Sequence, residues 1–370
     1  NRDILDDQFA FRGKQYDAGL AMVHFPEGYG GLNGNRGQQA VIDAVLRSHG
    51  VTYEDLRINP IGIGMGAPTV LAYGSEELKE KHLRKIFTGE DVWCQLFSEP
   101  SAGSDLANLR TKAVQADDGS GDWIVNGQKV WSSWAHLTDW GILVVRTDPT
   151  VPKHKGLTFF VVDMKTTGID VRPIRQISGA SDFNETFLTD VRIPDSQRIG
   201  AIGEGWACCM TVLMGERLGS GAHKSAVEPL INYAMATPDG RGGNALDNGA
   251  VQQSLAEALA EEQAEKYFQA RLRTMVSRGE NPGALAGMVK LAYARRLQKT
   301  SGLGMELRGV TSIASNDAET SELKYDYILY TVILIAGGAD EVLRNQIAER
   351  VLGMPGDVRM DKDVPFEQLR

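Results

Sequence analysis

The chain has 370 residues, 42% of them hydrophobic, enough for two or three cooperative units with a sizeable core. A net charge of −9 and a pI near 5.3 argue against a nucleic-acid or anionic-membrane partner, which would need clustered lysine and arginine. No apolar run approaches the ~20 residues of a membrane span, and the start, NRDILDDQFAFRGKQYDAG, is charged and holds no signal-peptide core. Cys94, Cys208 and Cys209 show no metal-ligand spacing, and the six histidines are scattered without a carboxylate partner nearby. A reduced, cytoplasmic, metal-free protein is the expectation.

To about Glu90 the pattern is helical, interrupted by PEGYGG (26–31). SEELKEKHLRKIFTGE predicts a helix capped at Ser75, closing near Gly89 and burying Leu78, His82, Leu83 and Ile86. From about Asp91 to Pro194 the period becomes strand-like. DWIVNGQKVWSS contains Asn126-Gly127 between apolar flanks, which predicts a hairpin turn there. WGILVVRTD, GLTFFVVDM, GIDVRPI and NETFLTDVRIP follow at the spacing of a β-barrel or sandwich, with Trp134 and Trp140 expected in its core. After Gly203 helices return, expected over 206–236, 251–278, 281–307 and 323–352, with an exposed linker, ATPDGRGGNALDNG, after the first. The predicted divisions are 1–90, 91–200 and 201–370, an α+β arrangement with segregated layers.

Four motifs in order, FSEPSAGSD, NGQKVWSS, DVRIP followed by GEGW, and GGADEVLRNQIAERVLG, resemble the acyl-CoA dehydrogenase family from about PEGYGG onward. The resemblance implies an N-terminal helical domain, a middle β-domain and a C-terminal four-helix bundle. It also implies bound FAD in a tetramer, an acyl-CoA substrate and electron-transferring flavoprotein as acceptor. A flavin needs donors along its polar edge and hydroxyls or backbone N–H groups at its pyrophosphate. By resemblance Ser98, in the Phe97-Ser98-Glu99 start of the first motif, meets the pyrimidine edge, and Gln95 lies beside the ring. Gly103 and Ser104 approach the pyrophosphate and the substrate, Trp131 lies against the ring, and Ser133 contacts its N5 edge. Read without the resemblance, FSEPSAGSD is an ordinary capped turn and Trp131 a core aromatic.

Oxidising an acyl thioester requires a carboxylate to take the α-proton and donors on the thioester carbonyl. The family's usual base, in a Tyr-Glu-Gly-Thr segment, falls here on Gly337, whose backbone N–H can still hold the carbonyl. A minority of the family places a Glu-Arg pair on the first bundle helix, and Glu216-Arg217 stand there. Cys209, Leu213, Glu216 and Ser220 share one helical face, so Glu216 is expected along a partly apolar stripe, where burial would raise its pKa. Glu216 is the expected base, Arg217 a substrate contact, and Glu341 a neighbour of the adenosine half of FAD. A surface ion pair is the plainer reading of Glu216. Small residues around Gly215 and Gly219 either make room for a bulky acyl group, such as a steroid fragment, or permit tight helix packing.

Two family features are missing. The Arg-x-x-Phe-Gly loop is replaced by TPDGRGGNALDNG, where Arg241 is the only arginine, and the Gln-x-x-Gly-Gly-x-Gly turn by SIASNDAETSELKYDYILYT. Both serve a neighbouring subunit's FAD, so a heterotetramer with a paralogous chain, as in steroid-degrading bacterial relatives, is expected. Alternatives are a catalytically silent partner subunit and an acyl-CoA oxidase.

Overall fold

Asn59 illustrates how the first half of the chain is held. Its buried amide donates to the Ile86 and Asp91 carbonyls at 3.2 and 2.8 Å, and its oxygen accepts from the Gly62 and Trp93 amides at 3.0 Å each. One side chain thereby fixes a helix end, a π-helical turn and a strand start, with every lone pair and proton used. The computed structural model describes residues 2–51, 59–218, 225–239, 242–280 and 282–369, the side chains of 2–6 and 216–218 excepted. The described residues divide into two units, Asn1–Gly219 with Val358–Arg370, and Ser220–Asp357.

The first unit opens with α1 (Arg2–Asp17), α2 (Arg36–Ser48), the π-turn Gly62–Gly66, α3 (Ala67–Tyr73) and α4 (Glu76–Thr88). Helix α4 follows its predicted outline. Ser75 accepts from the Leu78 amide, Glu76 and Glu77 sit at the positive end of the helix, and Gly89 closes it at φ +86°. Its buried face carries Leu78, His82, Leu83 and Ile86. His82 stands edge-on to Trp93 and Trp140, at 5.1 and 4.6 Å between centroids, and burial pushes its pKa down.

Eight strands follow: β1 (Trp93–Leu96), β2 (Lys112–Gln115), β3 (Trp123–Ser133), β4 (Trp140–Arg146), β5 (Leu157–Asp163), β6 (Ile169–Ile174), β7 (Phe183–Ile193) and β8 (Arg198–Ile199). They pair in the order β6-β7-β3-β2-β4-β5-β8, with β1 parallel to β4. Strand alternation sorts side chains into two cores. Ile142, Val144, Phe159 and Val161 join α3, α4 and the buried residues Cys208, Cys209 and Val212 of α5 (Gly205–Leu218). Leu143, Val145, Phe160 and Val162 join Val125 and Val191 on the other face.

The hairpin expected at Asn126-Gly127 is not there. Strand β3 runs straight through the pair, with a bulge against β7 between Val125 and Gly127. A Cβ on Gly127 would strike Thr111, so the glycine permits close approach of neighbouring backbone rather than a turn. The Asn126 amide exchanges two 2.9 Å hydrogen bonds with Asp190, itself at φ +50°. The turn lies earlier, at DDGSGD, where Gly119 and Gly121 take positive φ.

The second unit contains α6 (Glu228–Ala236), α7 (Gly249–Ser277), α8 (Gly287–Arg308), α9 (Thr311–Ala314), α10 (Ala318–Ile333) and α11 (Asp340–Arg350). The helix expected over 206–236 is interrupted. Ser225–Val227 is not helical, because the Glu262 carboxylate accepts from the Ser225 hydroxyl and the Ala226 amide, both at 3.1 Å. The helix expected over 323–352 is two helices, parted where Gly337 and Gly338 take φ +68° and +98°. Buried Arg296 pairs with Glu265 at 2.8 Å on the facing helix. Among the described residues no helix is long and apolar enough to cross a membrane.

Of the two readings of Gly215, packing holds: a Cβ there would meet the Gly64 carbonyl oxygen of the π-turn. Gly215→Ala is expected to cost about 1–3 kcal/mol of stability through overpacking, read as a lowered thermal midpoint. Wild-type stability in that variant would contradict the close approach.

Candidate active site

The stretch FSEPSAGSD follows β1 directly. Glu99 and Ala102 exchange both backbone hydrogen bonds at 3.0 Å, which leaves Pro100 and Ser101 exposed at the tip of a tight turn. The Glu99 side chain points inward. Its carboxylate accepts from the Arg110 and Thr111 amides, at 2.6 and 2.9 Å, and from Lys129 Nζ at 2.9 Å. Lys129, fully buried, also donates to the Phe97 carbonyl at 3.0 Å, and the Val130 amide donates to the Ser98 carbonyl at 2.9 Å. Burial pushes the Glu99 carboxyl up, but Lys129 and the backbone donors outweigh it and hold the group below its ordinary value.

A second clamp holds the far side of the motif. Lys153 Nζ bridges Asp105 and Asp361, and the Arg146 guanidinium donates to the Ala107, Leu109 and Lys153 carbonyls. Arg146 in turn lies 3.4 Å from the centroid of the Phe366 ring. The Phe366 and Glu367 amides bind the Val151 and Pro149 carbonyls, at 3.0 and 2.9 Å. Residues 97–110 are thus fixed from beneath and from the side, while Gly103 and Ser104 stay exposed.

At the end of β3 a second register shift, between Lys129 and Ser132, throws Trp131 outward. Trp131 takes φ +62° and is 59% exposed, its ring standing edge-on to Phe183 with 6.1 Å between centroids. Trp134 takes φ +52° and is 43% exposed. Neither is a core aromatic, which corrects the barrel-core expectation for Trp134 and leaves the plainer reading of Trp131 without support. Trp140 is half-buried against His82, with Lys81 above it. A left-handed non-glycine costs about 1–2 kcal/mol, and leaving a large apolar side chain in water forgoes about 1.5–3 kcal/mol. The first cost, and a large part of the second, fall on Trp131.

The polar groups that the resemblance assigns to the same site are equally uncommitted. Among the described residues, the Ser98, Ser104 and Ser133 hydroxyls and the Gln95 amide have no hydrogen-bond partner in the protein. Gln95 and Ser98 are half-buried, and the Phe97 ring is buried against Phe159, so Phe97 contributes its backbone alone. A bare indole face and unspent donors on the turn and strands are the chemistry that a flat, polar-edged ring system such as a flavin needs.

The remaining expected residues lie elsewhere. Glu216 and Arg217 occupy the last turn of α5, with side chains outside the described residues. Arg241, Gly219 and Ser220 also lie outside them. In the second unit, Gly337 precedes α11 in a left-handed conformation that a glutamate would adopt only under strain. The neighbouring Gly338 carbonyl and buried Asp340 both take hydrogen bonds from Lys290, at 2.9 and 2.7 Å. Glu341 is exposed in the first turn of α11. A cleft in this unit lined by Ser225, Glu228, Asn232, Tyr233 and Glu319 contains none of the expected residues.

Sequence reasoning missed Lys129, Arg146, Lys153 and Phe366. Only Lys129 left a signal, a lysine at an inward position of a strand downstream of an acid in a turn.

Models of the acyl-CoA dehydrogenase N-terminal, middle and C-terminal domains match residues 6–90, 94–191 and 203–352. The chain is 39% identical to acyl-CoA dehydrogenase FadE34 of Mycobacterium tuberculosis over 92% of its own length, and spans 45% of that relative's length. It superposes on a chain of the ChsE4-ChsE5 complex from Mycobacterium tuberculosis with TM-score 0.79 and 29% identity, covering 95% of this chain and 90% of that one. A chain of the Tcur3481-Tcur3483 steroid ACAD aligns with TM-score 0.75 and 25% identity, over 96% and 98%.

The depressed Glu99 carboxyl has a direction in pH. The ionised group favours the folded state above its ordinary value of 4.5, and that contribution is lost as pH falls below about 4.5. Glu99→Gln, weakened by about 3–5 kcal/mol through the unpaired Lys129, is expected to show a shallower acid decline in denaturant midpoint. Equal slopes for variant and wild type would refute the assignment.

Proposed function

The chain belongs to the acyl-CoA dehydrogenase family, whose members are FAD flavoproteins, and from that we propose that it oxidises an acyl-CoA thioester to its trans-2-enoyl-CoA. The observation that carries the reading is the strained, exposed Trp131, read with the uncommitted polar groups of the neighbouring motif. The indole and the free donors of Gln95, Ser98, Ser104 and Ser133 would hold an isoalloxazine ring. FAD, when bound, supplies the acceptor for the β-hydride. Trp131 covers one wall of its site, Ser98 and Gln95 address the ring's polar edge, and Ser133 donates at the N5 side. Gly103 and Ser104, exposed on a rigid turn, serve the pyrophosphate and the substrate.

Glu216 takes the α-proton, and Arg217 contacts the substrate. The Gly337 N–H supports the thioester carbonyl, where negative charge accumulates as the proton leaves. Glu341 stands with the adenosine half of the cofactor. A dedicated base matters because the α-proton is weakly acidic, and a positioned carboxylate contributes about 10²–10⁴-fold.

The assembly we propose is a heterotetramer. This chain lacks the arginine loop and the glycine turn that serve a neighbour's FAD, and two of its structural relatives carry paired names, ChsE4-ChsE5 and Tcur3481-Tcur3483. The second of these is a steroid ACAD, which supports a steroid-derived acyl group as substrate. Electron-transferring flavoprotein in the cytoplasm is the proposed acceptor, ahead of the oxygen of an oxidase. The missing motifs also favour a second reading, a silent subunit that completes a paralogue's site.

The visible spectrum of the purified chain, alone and with its companion, separates the readings. Anaerobic acyl-CoA should bleach a bound flavin in wild type and do so about 10²–10⁴-fold more slowly in Glu216→Gln. Equal bleaching would move the base elsewhere. A protein colourless under both conditions would leave the silent subunit.

A further inference from the structure

Lys129 is the one lysine among the described residues with a fully buried side chain, and its partner Glu99 is 6% exposed. An ion pair so deep seldom stabilises a fold better than apolar side chains of equal volume. Holding a turn in place is therefore a weak reason to bury one. Its bonds have a narrower target. Lys129 grips the Phe97 carbonyl and Glu99 grips the Arg110 and Thr111 amides, so the bonds bracket Ser98 through Ser104 on both sides. The Val130–Ser98 backbone bond, next to Lys129, ties the same turn to the strand that carries Trp131 and Ser133. The charge of Lys129 also bears on the Cys209 thiol of α5 and on Arg146. One buried pair thus joins the turn to β3 from beneath.

We propose that Glu99 and Lys129 are positioning residues for the bound flavin, setting the distance between the Ser98–Ser104 turn and the Trp131–Ser133 strand and presenting a charge-neutral floor beneath the ring. The inference rests on the flavin reading above. Its electrostatic consequence follows from sign alone. With both partners ionised the pair has no net charge. Removing Glu99 leaves a buried cation, which favours the electron-rich reduced ring and raises the reduction potential. Removing Lys129 leaves a buried anion and lowers it. A pair that merely held the fold together would move both variants in the same way, through looser packing.

The test is the reduction potential of the bound flavin in wild type, Glu99→Gln, Lys129→Met and the double variant, prepared as holoprotein with any companion chain. Expected are shifts of opposite sign in the two single variants and a return toward wild type in the double. Alongside it, amide hydrogen exchange of residues 97–105 in flavin-free protein is expected to quicken in all three variants. If either single variant fails to fold, Lys129→Arg carries the test. It keeps the charge but changes the donor geometry, so the potential should hold while FAD is retained about tenfold more weakly, a change worth about 1.4 kcal/mol. Potentials that shift together or not at all, or unchanged FAD retention in Lys129→Arg, overturn the proposal. A wild-type chain that holds no flavin in any assembly overturns the flavin reading and this inference with it, and is distinguished from the other failures by its absorbance alone.

Discussion

A lysine ammonium sealed beneath a β-strand has no water to turn to, so its surroundings must supply every acceptor. In this chain that requirement fixes the path of the backbone around it. The Glu99 carboxylate must reach inward, which forces the turn at Pro100 and Ser101. The Phe97 carbonyl must face β3, which sends its ring toward Phe159. What remains on the outside is whatever the inside did not use: three hydroxyls, a glycine and an indole. The uncommitted groups are the complement of a buried electrostatic solution.

Energy withheld from the fold is visible on the same surface. Trp131 and Trp134 are both left-handed and exposed, the first within and the second just beyond the second bulge of β3. Bulges that re-aim side chains cluster beside functional sites. A flat partner stacked on such an indole recovers apolar burial at almost no entropic cost, because the side chain is already placed.

Much of this was legible beforehand, and the failures share a cause. Local signals with local consequences were read correctly. The Ser75 cap, the Gly89 stop and the four-residue stripe of α4 involve only neighbours in sequence. Asn126-Gly127 misled because the same tolerance of unusual backbone serves a turn or a bulge, and only the distant Thr111 and Asp190 decide which. The break before α6 depends on Glu262, far along the chain, and no periodicity reports it. Trp134 was assigned inward because alternation fails beyond a bulge. The site residues named from motif resemblance sit on the turn after β1 and at the end of β3, whereas Lys129, Arg146, Lys153 and Phe366, which hold that turn, are joined only by tertiary contacts.

The clamp formed by Phe366 and Asp361 has a consequence for how the molecule is made. Both residues belong to the unit that contains the β-sheet, yet they are translated only after the whole of Ser220–Asp357. During synthesis the sheet and its helices emerge first and fold with Arg146 and Lys153 lacking two of their partners. The turn that presents Gly103 and Ser104 therefore reaches its final rigidity only after the second unit has been synthesised. A nascent chain stalled or truncated within the helical unit would own a nearly complete sheet and an unfinished site.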